Sequence, residues 1–227
     1  MTAFFITGTD TGVGKTRVSG ALLRALHQQG HERVIGMKPV AAGTELIHGQ
    51  WTNEDVVQLR AASTVSVPAL YDNPYLLQRA TSPHIAALQE GISIDIEHIA
   101  ACFHALRQQA DAVVVEGAGG FIVPLSESIG QASTSADLAV LLHLPVILVV
   151  GLRLGCLNHA LLTQEAILRR GLTLAGWVAN RIDPSMVEQE ANVYTLRHRL
   201  EAPLLADWGW HPAAEPSSLE IRLPSGP

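Results

Sequence analysis

The feature that most constrains this chain is a glycine-rich stretch close to its N-terminus, Gly8-Thr9-Asp10-Thr11-Gly12-Val13-Gly14-Lys15-Thr16. It follows the short apolar run Ala3 to Ile6 and precedes an amphipathic segment, so the expected order is strand, loop and helix. Glycines in such a loop let backbone N–H groups close around phosphate oxygens, and the helix start adds positive potential there. The stretch therefore predicts a phosphate-binding loop, with Lys15 at the terminal phosphates and the Thr16 hydroxyl on Mg²⁺.

The spacing of this loop differs from the usual one. The usual pattern places four residues between the first glycine and the Gly-Lys pair, but here Thr9 occupies the first glycine position and Gly8 lies one residue further back. A simpler interpretation is that the glycines only make a turn before a helix. That interpretation leaves the Lys-Thr pair unexplained, so we expect a longer-loop variant that binds a nucleoside triphosphate.

Composition limits the class of protein. The chain has 227 residues, 48% of them apolar and 16% charged, which is typical of a compact globular fold. Its formal net charge of −6 argues against general binding to nucleic acid or acidic membranes. The most apolar segment, Leu138 to Leu152, is interrupted by His143 and Pro145 and is too short to span a bilayer. With no signal peptide expected and only two cysteines, we expect a cytoplasmic protein without disulfides.

The order of the predicted elements indicates the fold class. Strands alternate with helices along the whole chain, which predicts one three-layer α/β domain of the P-loop NTPase type, with a mostly parallel sheet and helices on both faces. The domain is expected to span 1–211, and the tail at 212–227 has a composition that allows disorder. Strands are expected at Ala3–Ile6, Arg33–Met37, Asp111–Glu116, Pro145–Gly151, Leu174–Ala179 and Ala202–Leu205. Helices are expected at Arg17–Gln29, Val56–Ala62, Ile94–Gln109, Ser133–His143, Ala160–Arg170 and Met186–Leu200 and after Ser82, with Val67–Ala80 irregular.

Polar residues follow several of these strands. Ligands of open α/β sheets bind outside the carboxyl ends of the strands, so Lys38 is a candidate second cation at the site. Glu116 ends a continuous apolar run, and a buried carboxylate is costly unless it holds a cation or hydrogen bonds, which makes it a candidate Mg²⁺ ligand. Asp55 precedes or opens the helical stretch Val56 to Ala62, and by itself it is better explained by a helix-capping or dipole role.

Two further stretches can approach a ligand through their backbone. Gly117, Ala118 and Gly119 follow Glu116 and leave room for a ligand close to the main chain. The stretch Gly155-Cys156-Leu157-Asn158-His159 opens a later helix directly after a buried strand. It gives a second strand-to-helix turn able to receive an anion.

An ordered set of motifs resembles the dethiobiotin synthetase family over about residues 3–211. Besides the phosphate loop, the set contains Lys38-Pro39-Val40-Ala41, Asn73-Pro74-Tyr75, Thr81-Ser82-Pro83-His84, Val115 to Gly120, Pro124-Leu125-Ser126, Leu144-Pro145-Val146, Gly155 to His159, Gly176 to Asn180 and Ala202 to Leu205. Many ATPases share the loop alone, but the ordered set is specific to this family.

The resemblance implies an enzyme of biotin biosynthesis, an ATP-dependent cyclo-ligase. In that family CO₂ is inserted between the two amines of 7,8-diaminopelargonate, through a carbamate that attacks the γ-phosphate and a second amine that displaces phosphate. The products are dethiobiotin, ADP and phosphate. The family enzyme is a homodimer, in which each diamine site is completed by the neighbouring subunit.

Matched by position, the resemblance also implies roles for individual residues. Lys15 and Lys38 would stabilise the carbamate and the transferring phosphoryl group, and Thr16, Asp55 and Glu116 would hold Mg²⁺. The nucleotide would contact Gly12, Val13, Gly14, Lys15, Thr16, Arg17, Gly117, Ala118 and Gly119, with the adenine read by Asn180, Arg181, Gly209, Trp210 and His211. The diamine would contact Ala42, where the family often has serine, and its carboxylate would bind Gly155, Cys156, Leu157 and Asn158 of the partner subunit.

Two other functions fit the phosphate loop. A different P-loop ligase or amidase, of the cobyrinate type, would keep the loop, Asp55 and Glu116 but would not need the Gly155 to Asn158 segment. A non-catalytic ATP-dependent switch, as in partitioning and division-site ATPases, usually has another lysine early in the loop. Here Thr9 to Thr11 occupy those positions.

Overall fold

The chain alternates strands and helices as the sequence predicts. A computed structural model describes residues 2–47, 49–127, 132–210 and 219–224. The strands are β1 (Thr2–Gly8), β2 (Val34–Met37), β3 (Val40–Ala42), β4 (Glu45–Ile47), β5 (Gln50–Thr52), β6 (Tyr75–Leu77), β7 (Ala112–Glu116), β8 (Pro124–Ser126), β9 (Ser133–Thr134), β10 (Val146–Leu152), β11 (Leu174–Arg181) and β12 (Leu204–Trp208). The helices are α1 (Lys15–Gln28), α2 (Glu54–Ala62), α3 (Ala69–Asp72), α4 (Pro83–Gln89), α5 (Ile96–Arg107), α6 (Ser135–Leu142), α7 (Cys156–Arg169) and α8 (Gln189–Arg199).

The main sheet has six strands, all parallel, in the order β12-β11-β10-β1-β7-β2. Side chains of β1 alternate between two apolar clusters. Phe5 belongs to the cluster that contains residues of α4, α5, α6, α7 and α8, and Phe4 and Ile6 belong to the cluster that contains residues of α1 and α2. This is the three-layer arrangement that the sequence predicts, and both faces of the central strands are covered. All six strands end on the same edge, which is where the candidate site lies.

Several short elements differ from the sequence-based expectation. Within Val67–Ala80, which was expected to be irregular, the structure has α3 and β6, and β6 pairs with β3 in a separate two-stranded sheet. Ser133 and Thr134 form β9 instead of starting α6. The last strand is Leu204–Trp208 rather than Ala202–Leu205. Elements of two to five residues carry too little periodicity to be recognised from sequence, because pairing with a distant strand decides them.

The part of the C-terminal tail that the structure describes lies against the body. Residues 219–224 follow β12: the Arg222 N–H donates to the Leu205 carbonyl (3.0 Å), and the Trp208 indole Nε1–H donates to the Glu220 carbonyl (2.9 Å). Leu219, Ile221 and Leu223 pack on the cluster that contains α1. The remainder of the predicted tail at 212–227 lies outside the described residues, as does the predicted adenine-side residue His211. No helix among the described residues is long and apolar enough to cross a membrane.

Helix α2 carries a site residue and is anchored at its first turn by Asn53. The Asn53 side-chain carbonyl accepts a hydrogen bond from the Val56 N–H (3.4 Å), and its amide donates to the Gly43 carbonyl (2.7 Å). One side chain therefore caps the helix and ties it to the preceding turn. The residues Glu54 and Asp55 also place negative charge at the positive end of the helix dipole.

We expect Asn53→Ala to lower the free energy of unfolding by about 1–2 kcal/mol, because a cap and a second hydrogen bond are lost together. Urea denaturation measures this change. Asn192→Ala is the matched control, since the Asn192 amide donates only to the Glu188 carbonyl one turn earlier in an exposed helix. It is expected to change stability by less than about 0.5 kcal/mol. Equal losses in the two variants would contradict the assigned anchoring role.

Candidate active site

The carboxyl ends of β1, β2 and β7 meet around one cavity of about 710 Å³. The cavity brings together ten of the residues predicted from sequence: Gly12, Gly14, Lys15, Thr16, Arg17, Lys38, Ala42, Asp55, Ala118 and Gly119. These residues come from parts of the chain separated by up to about a hundred positions. Their convergence follows from the parallel sheet, which places the ends of its strands on one edge.

The phosphate loop connects β1 to α1 and leaves the start of the helix open. Gly14 precedes α1 with φ of 91°, no side chain caps the helix, and its first turn contains no acidic residue. The first N–H groups of α1 are therefore available to an anion. Gly14 cannot be replaced without strain, since an added Cβ would lie 2.3 Å from Asn180 Nδ2.

Val13 fixes the loop on the sheet. Its side chain is buried, and a Cβ added at Gly8 or at Gly151 would come within 2.6 Å or 2.7 Å of it. The two glycines thus make room for Val13 between β1 and β10. The Val13 carbonyl also accepts a hydrogen bond from the Asn180 amide (2.8 Å), so the loop is held from β11 as well.

Lys15 is the buried cation of the loop. Its ammonium donates to the Asp10 carbonyl (3.0 Å), while the Asp10 carboxylate accepts from the Thr11 N–H and forms an ion pair with Arg153. Burial, followed by repulsion from the neighbouring Lys38 ammonium, lowers the pKa of Lys15 from 10.5 to about 8. A phosphate group at this position would favour the charged form.

A second group of polar side chains lies where β2 and β7 end. The Lys38 ammonium donates to Asp55 Oδ2 (2.8 Å) and to Glu116 Oε1 (2.6 Å). The Thr16 hydroxyl contacts the same two carboxylates, at 2.6 Å from Asp55 Oδ1 and 3.0 Å from Glu116 Oε1. Glu116 is 0% exposed, and its other oxygen accepts from the Ser19 hydroxyl (2.8 Å). Both oxygens of this buried carboxylate are therefore satisfied.

The charges in this group stabilise one another. Burial would lower the pKa of Lys38, but the Glu116 and Asp55 carboxylates outweigh it and raise the pKa above its ordinary value. Burial would raise the pKa of Asp55, but Lys38 outweighs it and holds that pKa below its ordinary value. Near neutral pH, Lys38 is an ammonium and Asp55 a carboxylate.

The oxygen atoms of this group fit a hard divalent cation. The Thr16 hydroxyl lies within hydrogen-bond distance of both carboxylates, those of Asp55 and Glu116, and oxygen is the ligand type that Mg²⁺ prefers. Among the described residues no group of three His, Cys, Asp or Glu side chains is placed to hold a metal. A cation here would thus take the rest of its coordination shell from phosphate oxygens and water, as Mg²⁺ usually does.

The residues expected on the adenine side lie on the other side of the loop. Asn180 is 2% exposed, and its Oδ1 has no hydrogen-bond partner among the described residues, while its Nδ2 donates to the Val13 carbonyl. Arg181 pairs with Asp207 (2.7 Å) and with Glu190, so its guanidinium is already engaged. Gly209 and Trp210 follow β12, and Trp210 is exposed.

The second anion-binding stretch does not line the cavity. Gly155 precedes α7 with φ of 95°, Cys156 is buried and Asn158 is exposed. The Cys156 N–H donates to the Arg153 carbonyl (3.0 Å), so this donor is used within the chain. Any anion bound here would be held by the following N–H groups of the first turn, and it would not be a ligand of this chain's own cavity.

Sequence reasoning missed several residues of the site. Ser19 lies one turn after Lys15, and that spacing could have placed its hydroxyl near Glu116. Ala80, Thr81 and Ser82 line the cavity, although their motif was interpreted as a helix start. The ion pair of Asp10 with Arg153 joins positions so far apart that no local pattern indicates it.

The fold and the loop together define a P-loop nucleotide-binding protein of the NTPase class. Consistent with this, a family model described as an AAA domain matches residues 2–218. Two solved structures share the fold: a ParA family ATPase from Chlorobium tepidum TLS (TM-score 0.57, 14% identity, 93% of this chain and 85% of that one) and the septum site-determining protein MinD from Pyrococcus horikoshii OT3, complexed with Mg-ADP (TM-score 0.56, 19% identity, 93% and 82%).

A closer relative identifies the family. The chain is 54% identical, over 224 residues, to the ATP-dependent dethiobiotin synthetase BioD of Aromatoleum aromaticum, and the match covers 98% of this chain and 97% of that protein. This chain belongs to the dethiobiotin synthetase family. The resemblance seen in the sequence motifs is thus confirmed.

We expect nucleotide binding at pH 8 to be accompanied by uptake of about half a proton, because Lys15 has a pKa of about 8 in the free protein and phosphate raises it. Above pH 8 the affinity should fall by about tenfold per pH unit, since a proton must be bound together with the nucleotide. Calorimetry with ADP in two buffers of different ionisation enthalpy measures the uptake. Lys15→Met is the control and should abolish it; uptake that persists in this variant would assign the proton to another group.

Proposed function

We propose that this protein catalyses the ATP-dependent closure of 7,8-diaminopelargonate with CO₂ to dethiobiotin, with release of ADP and phosphate. The observation that carries the proposal is the placement of two lysines, Lys15 and Lys38, in one cavity with Thr16 and Asp55. The buried Glu116 carboxylate accepts a hydrogen bond from Lys38 at this point. The relative of that name, 54% identical along almost the whole chain, supports the same reaction.

The chemistry explains why two cations are needed. One amine of the substrate adds to CO₂ and loses a proton, which gives a carbamate anion. A carbamate oxygen attacks the γ-phosphorus, the bond to ADP breaks, and a carbamoyl phosphate forms. The second amine then attacks the carbonyl carbon, phosphate leaves, and the five-membered urea ring closes. The second step brings an anion to ATP, so positive groups must be in place before reaction.

The structure suggests a division of work between the two lysines. Lys15 lies in the loop, where the first turn of α1 also faces the phosphates. Lys38 approaches from the end of β2 and is held by two carboxylates. In the proposal, Lys15 stabilises the charge of the triphosphate, and Lys38 faces the carbamate and the phosphoryl group in transfer. Mg²⁺ held by Thr16, Asp55 and Glu116 would supply further charge neutralisation at the phosphates.

The diamine would occupy the part of the cavity beyond the phosphate loop. Apolar side chains of Val40, Ala42, Ala80 and Val123 line this part, with Thr81 and Ser82 beside them. Apolar walls suit the hydrocarbon chain of a diamino acid. Ala42 supplies no hydroxyl, so polar contacts near the amines would come from other lining groups, among them these two hydroxyl side chains.

We further propose that the active unit is a homodimer whose sites are shared. The Gly155 to Asn158 stretch lies at the start of α7 and outside its own chain's cavity. Large apolar side chains around α7 and α8 are exposed, including Leu154 (93%), Leu162 (56%), Val187 (80%) and Tyr194 (65%). A second copy that covered this surface would bring its first turn of α7 to the far end of the diamine, where the carboxylate lies.

The remaining parts of the proposal concern recognition of the adenine and the location of the protein in the cell. Asn180, with its unpartnered Oδ1, and the segment Gly209 to His211 would read the adenine. Two free and buried cysteines, Cys102 and Cys156, support a cytoplasmic location. The relatives favour neither a cobyrinate-type ligase nor a partitioning switch, because the likeness to ParA and MinD proteins is below 20% identity and extends to the fold alone.

The reaction is tested by incubating the protein with ATP, Mg²⁺, bicarbonate and 7,8-diaminopelargonate. We expect dethiobiotin, detected by mass, in amounts equal to the ADP formed, and no product after chelation of Mg²⁺. Lys38→Ala is the control: it should bind ATP but lose on the order of 10²-fold in turnover, because it lacks a group placed for the transition state. ADP release that does not depend on the diamine, without dethiobiotin, would refute the proposed reaction.

The shared site is tested with hybrid dimers of two inactive variants, Lys15→Ala and Asn158→Asp. The aspartate would repel the substrate carboxylate, yet it is favourable in the first turn of a helix, so folding should be preserved. After subunit exchange, hybrid dimers carry one intact site, and a 1:1 mixture should recover roughly a quarter of the wild-type activity. If the variants exchange subunits and the mixture remains inactive, each site is built from a single chain.

A further inference from the structure

The main chain of Lys38 is held by hydrogen bonds that are not part of the main sheet. Lys38 directly follows β2. Its N–H donates to the Asp72 carbonyl (2.8 Å), and its carbonyl accepts from the Asn73 side-chain amide (2.7 Å). The same amide group contacts the Tyr75 carbonyl (3.2 Å), and the Tyr75 N–H donates to the Pro39 carbonyl (3.1 Å). Two consecutive residues thus bind both polar main-chain groups of Lys38.

The first of these residues is itself fixed by an ion pair in which its own carboxylate is buried. The Asp72 side chain is 5% exposed, and both its oxygens accept from the Arg60 guanidinium, at 2.6 Å and 2.7 Å. Two parallel hydrogen bonds of this kind define an orientation as well as a distance. Arg60 lies on α2, the helix that begins with Glu54 and Asp55.

Helix α2 is therefore connected to Lys38 by two routes. Near its start, Asp55 accepts from the Lys38 ammonium. Near its end, Arg60 holds Asp72, whose carbonyl binds the Lys38 N–H. Because a helix is rigid, α2 fixes both the ammonium and the main chain of Lys38 relative to each other.

A role in ending α3 does not explain the Asn73 side chain. Asn73 is the C-cap residue of α3, and its main-chain N–H makes the capping bond to the Ala69 carbonyl (3.0 Å). The side chain is buried and is directed to Lys38 instead. The motif Asn73-Pro74-Tyr75 thus contacts the main chain of Lys38 and Pro39. No step of the proposed reaction uses this motif directly.

We propose that Asp72 and Asn73, with Arg60 behind them, are positioning residues that hold Lys38 at the reacting phosphoryl group. The inference rests on the proposed role of Lys38 in the ligation and adds the residues that make the role possible. Lys38 has a long side chain with many rotamers, and a displacement of about 1 Å in a catalytic group can cost on the order of 10²-fold in rate. A fixed main chain and two carboxylates at the ammonium restrict that freedom.

The first test compares Asn73→Ala with Gln164→Ala. Gln164 is also buried, and its side-chain amide bonds two main-chain groups, those of Arg199 and Glu201, away from the cavity. Both variants are expected to lose stability. Only Asn73→Ala should lower kcat, by about tenfold or more, with the Kd for ATP within about twofold of wild type. Equal kcat values in the two variants would overturn the proposal.

A double-mutant cycle separates positioning from general damage. In the Lys38→Ala background, Asn73→Ala should cause no further loss of kcat, because no ammonium is left to position. Losses that multiply would show that Asn73 acts independently of Lys38, and the proposal would be wrong. Arg60→Lys provides a milder variant should Asn73→Ala fold poorly, since lysine keeps the charge but cannot hold both Asp72 oxygens. It should lower kcat in the same direction and also have no effect without Lys38.

A measurement without turnover keeps this proposal distinct from the proposed reaction. Acetylation of Lys38 by acetic anhydride, followed by mass spectrometry of its peptide, should be severalfold faster in Asn73→Ala and Arg60→Lys than in wild type or Gln164→Ala. If labelling were faster in these two variants but Lys38→Ala retained full turnover, the catalytic role of Lys38 would be wrong. The positioning of Lys38 by Asn73 and Arg60 would still be correct. If labelling and kcat were both unchanged in Asn73→Ala and Arg60→Lys, the positioning role would be wrong, and the proposed reaction would be unaffected.

Discussion

The site depends most on the burial of Glu116 at the end of β7 and on the cation that compensates it. A fully buried carboxylate without a partner is costly, and removing one member of a buried ion pair typically costs about 3–5 kcal/mol. Here the Lys38 ammonium and the hydroxyls of Thr16 and Ser19 satisfy both oxygens of Glu116. The folded state therefore places two residues of α1 and the residue after β2 around one carboxylate. The same requirement that stabilises the fold assembles the polar half of the active site.

Open donors are the second requirement of the site. The first turn of α1 has no capping side chain and no acidic residue, and Lys15 is buried beside it with a lowered pKa. In the free protein the first N–H groups of α1 are therefore open to a ligand, and the Lys15 ammonium donates to the Asp10 carbonyl. An anionic ligand would supply the missing charge. Phosphate affinity at this position would thus follow from how the loop packs, with Val13 filling the space that Gly8 and Gly151 leave.

The two halves of the proposed reaction place different demands on the chain. Phosphoryl transfer needs groups fixed within fractions of an ångström. The candidate groups lie at strand ends and in the first turns of α1 and α2, and the main chain of Lys38 is held by Asp72 and Asn73. Recognition of the far carboxylate of the diamine needs only donors at the right distance. The first turn of α7 has such donors but lies outside its own cavity, which is why a second copy of the chain enters the proposal.

Sequence alone determined the class of fold and predicted most members of the candidate site. Alternating apolar runs predicted the three-layer domain, and the phosphate loop, Lys38 and Glu116 were recognised because each follows a buried strand, where a polar residue needs a ligand or a partner. For Asp55 the local pattern favoured a capping or dipole role, because carboxylates are common at helix starts. Only the tertiary structure decided that it binds Lys38 and Thr16, and only it revealed Ser19, the pair of Asp10 with Arg153, and the contacts of Arg60, Asp72 and Asn73 with Lys38. The physical reason is that periodicity and capping act over a few residues, whereas these contacts join side chains from separate elements and exist only once the sheet has brought its strand ends together.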